Sequence, residues 1–267
     1  MTKHEYLLGD SRRESERLRA QARLWDPTAH ALFDRIGVSE GWRVLEIGPG
    51  QGSLNRELQR RVNGPVDAVE PSPVFARGLR GDVYRLPLAD AELPEAHYDL
   101  IFARWVFLFL PDPLAHVRKL ARALKPGGIL AIEDYYRETL GMVPRPPEWD
   151  NFVAADLKFF ADKGGDASIG SRLPAMFERA GLDVIEITPT IKSGTRDSDV
   201  WRWLTSYFFS VMDRYEKIRP FTPAQAKRLT KHWEQDAKLL IAPAVLDIVG
   251  RRPTTPPRPS ARRRRSA

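Results

Sequence analysis

The chain has 267 residues, 42% of them hydrophobic, enough for one domain with a core and helical additions. It contains no cysteine, which excludes thiolate nucleophiles and iron–sulfur chemistry and fits a reducing compartment. The formal net charge is +7, but seven arginines and no acid fall within residues 251–267, and the remainder balances 35 basic against 35 acidic residues.

That neutral body argues against a nucleic-acid partner, because no basic excess remains once the tail is set aside. The apolar run from Trp105 to Leu110 is far short of the roughly 20 residues a membrane helix needs. The opening residues lack the apolar stretch of a secretory signal, so a cytoplasmic location is expected.

In chain order, Glu14 to Leu24 has helical spacing, with Glu14, Arg17, Leu18 and Gln21 on one face. Arg43-Val-Leu-Glu-Ile-Gly-Pro-Gly-Gln-Gly52 is an apolar strand that runs into glycines at alternate positions and then a helix. Val66-Asp-Ala-Val-Glu70 is the next strand, followed by Pro71-Ser72. Tyr98 to Trp105 reads as another strand, Leu110-Pro-Asp-Pro113 opens a helix, and Ile129 to Glu133 follows the turn Leu124-Lys-Pro-Gly-Gly128. A helix lies within 170–181, and Leu182 to Thr188 alternates as a sixth strand. Two aromatic-rich helical patterns occupy 198–217 and 222–240, the second opened by Thr222-Pro-Ala-Gln, an N-cap with proline at the first helical position. Ala244 to Gly250 is the seventh strand, and residues 251–267, polar and proline-rich, are expected to be a disordered basic tail.

Strand–turn–helix units alternating in this way imply an α/β, doubly wound, mostly parallel sheet. Gly48, Gly50 and Gly52 let a ligand approach main-chain atoms that any Cβ would shield. Glu70, at a strand end, suits the two hydroxyls of a ribose. The turn differs from the dinucleotide fingerprint G-x-G-x-x-G, since its third glycine comes one residue early. Glu46, two residues before Gly48, would repel a pyrophosphate and suit a cationic amine.

The pattern E-x-G-x-G-x-G resembles motif I of the class I S-adenosylmethionine-dependent methyltransferases. Further landmarks follow in the family's order: Gly81-Asp82-Val83-Tyr-Arg-Leu-Pro87, the Tyr98-Asp-Leu-Ile opening, Leu110-Pro-Asp, and Leu124-Lys-Pro-Gly-Gly128. The resemblance implies the seven-stranded Rossmann-like methyltransferase fold, with its last strand antiparallel and a helical cap. It also implies S-adenosylmethionine as cofactor, S-adenosylhomocysteine as product, and an Asp after the third strand, here Asp82, that accepts a bond from the adenine amino group. The expected cofactor contacts extend to Pro71, Val83, Ala103, Arg104 and Trp105. Tyr6-Leu-Leu-Gly-Asp-Ser and the following E-x-x-R-L-x-x-Q resemble an N-terminal segment of small-molecule members, in which Tyr6, Arg17 and Gln21 would fold over the cofactor.

The resulting division is an N-terminal lid at 1–40, a cofactor-binding core at 41–136, the remainder of the sheet at 137–250 with an inserted substrate cap at about 198–240, and the tail. The Asn/Asp-Pro-Pro-Tyr/Phe signature, the two-glutamate loop of arginine methyltransferases and the acidic magnesium cluster are all missing, so no metal is implied. Phe109 stands where many quinone-pathway relatives carry His. Asp134, Tyr135 and Tyr136 are the catalytic candidates by position alone, each more naturally a wall or support than a base. The expectation is methyl transfer to an O, N or C atom of a small organic acceptor in a closed aromatic-lined pocket. The alternatives are a nucleic-acid or protein methyltransferase docking through the arginine tail, and a non-catalytic binder of the same cofactor. Oligomeric state and acceptor stay open.

Overall fold

The computed structural model describes residues 12–254, with the side chains described from Leu18 onward. The first half of the chain forms α1 (Arg12–Ile36), β1 (Val44–Ile47), α2 (Ser53–Val62), β2 (Asp67–Val69), β3 (Val83–Tyr84), β4 (Tyr98–Arg104) and α3 (Pro113–Ala123). The second half forms β5 (Leu124–Tyr136), β6 (Gly141–Val143), α4 (Trp149–Ala161), α5 (Leu173–Arg179), β7 (Asp183–Thr190), β8 (Ser193–Gly194), α6 (Asp199–Tyr215), α7 (Pro223–Gln235), β9 (Leu239–Ile241) and β10 (Ala244–Arg251).

One seven-stranded sheet has the order β3-β2-β1-β4-β5-β10-β7. Only β10 runs antiparallel, to both β5 and β7. The central strands are buried on both faces, as β1 is throughout. On one face, Ala29, Leu32 and Phe33 of α1 and Leu54 and Leu58 of α2 cover Val44, Leu100, Phe102 and Ala131. The other core packs Val117 and Leu120 of α3 and Phe177 of α5 with Leu45, Ile101, Leu130 and Ile248.

Helix starts follow local chemistry. Asp112 caps α3 by accepting the Ala115 N–H, Ser198 caps α6, and Thr222 with Gln225 forms a full capping box on α7. The expected helix at 14–24 is corrected: α1 continues through Pro27 to Ile36. An interior proline costs roughly 3 kcal/mol, whereas full burial of Leu32 and Phe33 contributes roughly 1.5–3 kcal/mol each. Burial wins, and Phe33 packs edge-on against Phe102 at 4.9 Å.

A second sheet, unexpected from the sequence, joins β6, β9 and β8 antiparallel. Its β9 occupies residues expected to end the second cap helix, which stops at Gln235. Strands of two or three residues are too short to show alternation.

Candidate cofactor site

The β1–α2 turn is built as its glycines require. Gly48 (φ +66°) donates its N–H to the Val69 carbonyl at 2.9 Å, and a Cβ there would lie 2.7 Å from Val106 Cγ2. Gly50 (φ +54°) faces open space. Its N–H donates to Glu70 Oε2 at 3.2 Å, while the Ser72 N–H donates to Oε1 at 2.8 Å. Glu70 is 5% exposed; burial raises its pKa and those two amides pull it back. Pro71 follows it at the exposed rim. The turn and Glu70 therefore meet at the carboxyl ends of β1 and β2, where this architecture binds ligands.

Glu46, on β1, is buried, and its Oε2 has no hydrogen-bond partner among the described residues. Burial pushes its pKa up to about 7, against the pull of Asn55 and Arg104 and with the push of Asp26 and Glu70. A buried carboxylate oxygen without a partner is costly unless something cationic completes it. That deficit, beside an open glycine turn, fits the charge and shape of a sulfonium cofactor with a free amine.

Ala103 and Arg104 end β4, and Trp105 follows with φ +54°. Arg104 pairs with Asp26 of α1 at 2.5 Å and lies over the Trp105 ring at 4.6 Å. Trp105 stacks on Tyr135 at 5.5 Å and meets Trp25 edge-on at 6.0 Å. Arg104 Nη1, Trp105 Nε1 and Trp25 Nε1 are buried donors without an acceptor among the described residues. Gln21, buried on α1, accepts from Trp203 Nε1 of α6 at 3.3 Å. Sequence reasoning missed Trp25 and Asp26 and offered Trp203 only as one of several cap aromatics, because only the docking of α1 and α6 brings them to the end of β4.

Among the catalytic candidates, Asp134 is fully buried and accepts the N–H groups of Leu108 and Tyr135, which ties down the single turn at 107–109. Burial raises its pKa to about 7. Tyr135 is a buried aromatic wall, and Tyr136 points to the opposite face of β5, half-buried. Phe109 packs against Phe160 of α4 at 5.7 Å.

The placement expected of Asp82 is corrected. It precedes the third strand, is exposed, and donates its N–H to Asp67 Oδ1 at 2.9 Å, at the end of β2 opposite Glu70. The segment from Pro71 to Asp82 contains turns and no helix, so β3 enters late and pairs Val83, half-buried, with Ala68. Tyr6 and the side chain of Arg17 lie outside the described residues. Among the described residues no group of three or more His, Cys, Asp or Glu is placed to hold a metal ion, and no helix is long and apolar enough to cross a membrane.

A parallel sheet closed by one antiparallel strand, with a glycine turn between two acidic strand tips, defines a nucleoside-cofactor α/β protein of the methyltransferase type. Residues 12–187 match the family described as a methyltransferase domain. The chain is 33% identical over 185 residues to methyltransferase GfsG of Streptomyces halstedii, covering 61% of this chain and 63% of that protein. It is 27% identical over 224 residues to trans-aconitate 2-methyltransferase of Methylobacterium radiotolerans, covering 74% and 81%. The YcgJ protein of Bacillus subtilis superposes with a TM-score of 0.56 at 18% identity, over 84% of this chain and 97% of that one. The chain spans between 43% and 63% of the length of several curated relatives. It belongs to the class I S-adenosylmethionine-dependent methyltransferase family.

Proposed function

We propose that this protein transfers a methyl group from S-adenosylmethionine to an O, N or C atom of a small organic acceptor. The observation that carries this reading is the Glu46 carboxylate oxygen, partnerless among the described residues, beside Gly48 and Gly50, with Glu70 one strand away. Glu46 would hold the cofactor's amine, Glu70 its ribose hydroxyls, and Arg104, Trp105 and Trp25 would supply donors to its polar end. Gln21 and Trp203 would close the same side, with Arg17 and Tyr6 as further lid contacts. When bound, the cofactor supplies an electrophilic methyl group on a good leaving group. The protein's share is then to hold the acceptor at about 3–3.5 Å from that carbon and to exclude water.

The division into lid, cofactor core and cap belongs to the same proposal. The walls available for an acceptor are aromatic: Trp25, Trp105, Tyr135 and Trp203. The charges of the two guanidiniums nearby are already matched by carboxylates, Arg104 by Asp26 at 2.5 Å and Arg137 by Asp156 at 3.4 Å. A polycarboxylate of the kind named for one relative would need several free cations, so an aromatic or amphipathic acceptor of the natural-product type fits better. Asp134 and Tyr135 act as support and wall in this reading, and Tyr136 stands behind them.

Calorimetry with S-adenosylmethionine, S-adenosylhomocysteine and NAD tests the proposal. The first two should bind and NAD should not. Glu70→Ala should cost on the order of 1.5–3 kcal/mol, the scale of charge-assisted hydrogen bonds. Unchanged affinity in that variant, or preference for NAD, overturns it.

A further inference from the structure

Arg118 and Arg122 of α3, Arg179 of α5 and Arg252 just after β10 line one cleft of about 340 Å³. Its remaining walls are Ala121, Ala180, Gly181 and Leu182, with no acidic side chain among them. The cleft lies at the amino ends of the parallel strands. Helix α3 ends as β5 begins, α5 ends just before β7, and Arg251 pairs with Ile129 at the start of the apolar run of β5. It is therefore at the far end of the sheet from the glycine turn.

The arginines are arranged, not merely present. Arg252 Nη1 donates to the carbonyls of Arg122 and Leu124, which fixes its guanidinium at the rim. Arg118, Arg122 and Arg179 are exposed and carry no acidic partner among the described residues. The nearest acids in sequence, Glu178 and Asp183, do not line the cleft. Arg122 and Arg179 stand in last helical turns, where they offset the negative helix ends. Each such end carries about half a charge, so two of them leave the field of four guanidiniums strongly positive. A cleft lined by one sign with apolar walls focuses that field. Its volume is roughly ten times the 30 Å³ share of one water.

We propose that this cleft binds a compact multivalent oxyanion, a phosphate or pyrophosphate group, through Arg118, Arg122 and Arg179. The site is independent of the methyl-transfer reading. Residues 255–267 carry five further arginines and no acid, so a test must separate tail from cleft.

Calorimetry and thermal melts of the full chain with inorganic pyrophosphate, against chloride at matched ionic strength, make that separation. Three proteins are compared: wild type, Arg118→Gln/Arg179→Glu, and a variant with Arg262, Arg263, Arg264 and Arg265 changed to Gln. All substituted side chains of the cleft are exposed, so folding should be retained, which the melts themselves report. Pyrophosphate should stabilise wild type and the tail variant alike and bind the cleft variant about tenfold or more weakly, as expected for lost charge-assisted bonds. Stabilisation no greater than that of chloride overturns the proposal. So does binding that survives in the cleft variant and vanishes in the tail variant.

Discussion

Glu133 of β5 and Asp247 of β10 stand directly opposite each other in the antiparallel register, two carboxylates buried side by side on the α1 face of the sheet. Arg35 of α1 reaches Asp247 at 2.7 Å and Glu186 of β7 at 2.8 Å. Arg104 lies 3.9 Å from Glu133 and pairs with Asp26 on its other side. The row therefore sets four carboxylates against two guanidiniums, and it keeps a proton. Burial, and then the neighbouring Asp247 against the pull of Arg104, raises Glu133 to about 8.

Stability should follow that proton. The folded pKa of Glu133 is raised above its unfolded value, so the folded state binds more protons between the two. The contribution is fully present below the ordinary carboxylate range and is lost as pH rises through about 8. Melting temperature should decline from pH 5 to 9 in wild type, and more shallowly in Glu133→Gln. A wild-type melting temperature that climbs over that range contradicts the shared-proton reading.

Cofactor binding should show the opposite pH trend at Glu46. Its carboxyl is raised to about 7 by burial, with Asn55, Arg104, Asp26 and Glu70 as the other groups acting on it. A cationic amine needs the ionised form, so binding should release a proton near neutral pH. Affinity for S-adenosylhomocysteine should rise between pH 6 and 8, and Glu46→Gln should bind more weakly with a flatter profile. Calorimetry in buffers of different ionisation enthalpy reads the proton directly. Equal heats across buffers at pH 6.5 would place the amine elsewhere.

The cofactor end of this site was legible because its chemistry is contiguous in sequence. Strand, glycine turn and acidic tip occupy 43–52 and 66–70, and backbone geometry ties them together. The polar row was not legible. Arg104 faces Glu133 across β4 and β5, and Asp247 joins them only because the last strand inserts between β5 and β7. Asp82 was misplaced because a motif reports order along the chain, whereas its level in the sheet depends on how late β3 joins β2. The cap aromatics resolve mainly into packing, with Phe208 stacked on Trp233 at 4.1 Å and Phe152 against Phe208, Tyr215 and Phe221. Trp25 escaped notice for the complementary reason: it lies past the expected end of a helix that tertiary burial extends.

The two halves of α1 should behave differently when mutated. Pro27 lacks the N–H that would donate to the Arg23 carbonyl, so the helical ladder is interrupted there. Beyond it, Leu32 and Phe33 are fully buried in the sheet core. Before it, Gln21 touches Trp203, Trp25 sits between Trp105 and Trp203, and Asp26 holds Arg104, all at the cofactor end of β4. Leu32→Ala should therefore destabilise the ligand-free protein by about 2–5 kcal/mol, the usual cost of a core truncation. Gln21→Ala removes, among the described contacts, the hydrogen bond from Trp203 of α6, a loss worth about 1 kcal/mol to the ligand-free protein. If the first half of α1 is a lid, Gln21→Ala should weaken S-adenosylhomocysteine binding and shrink ligand-induced stabilisation, while Leu32→Ala keeps both once corrected for its lower melting temperature. Paired thermal melts with and without ligand separate the two. Normal ligand-induced stabilisation in Gln21→Ala would reduce this half of α1 to packing, and the lid would then have to lie in the residues before Arg12 or not exist.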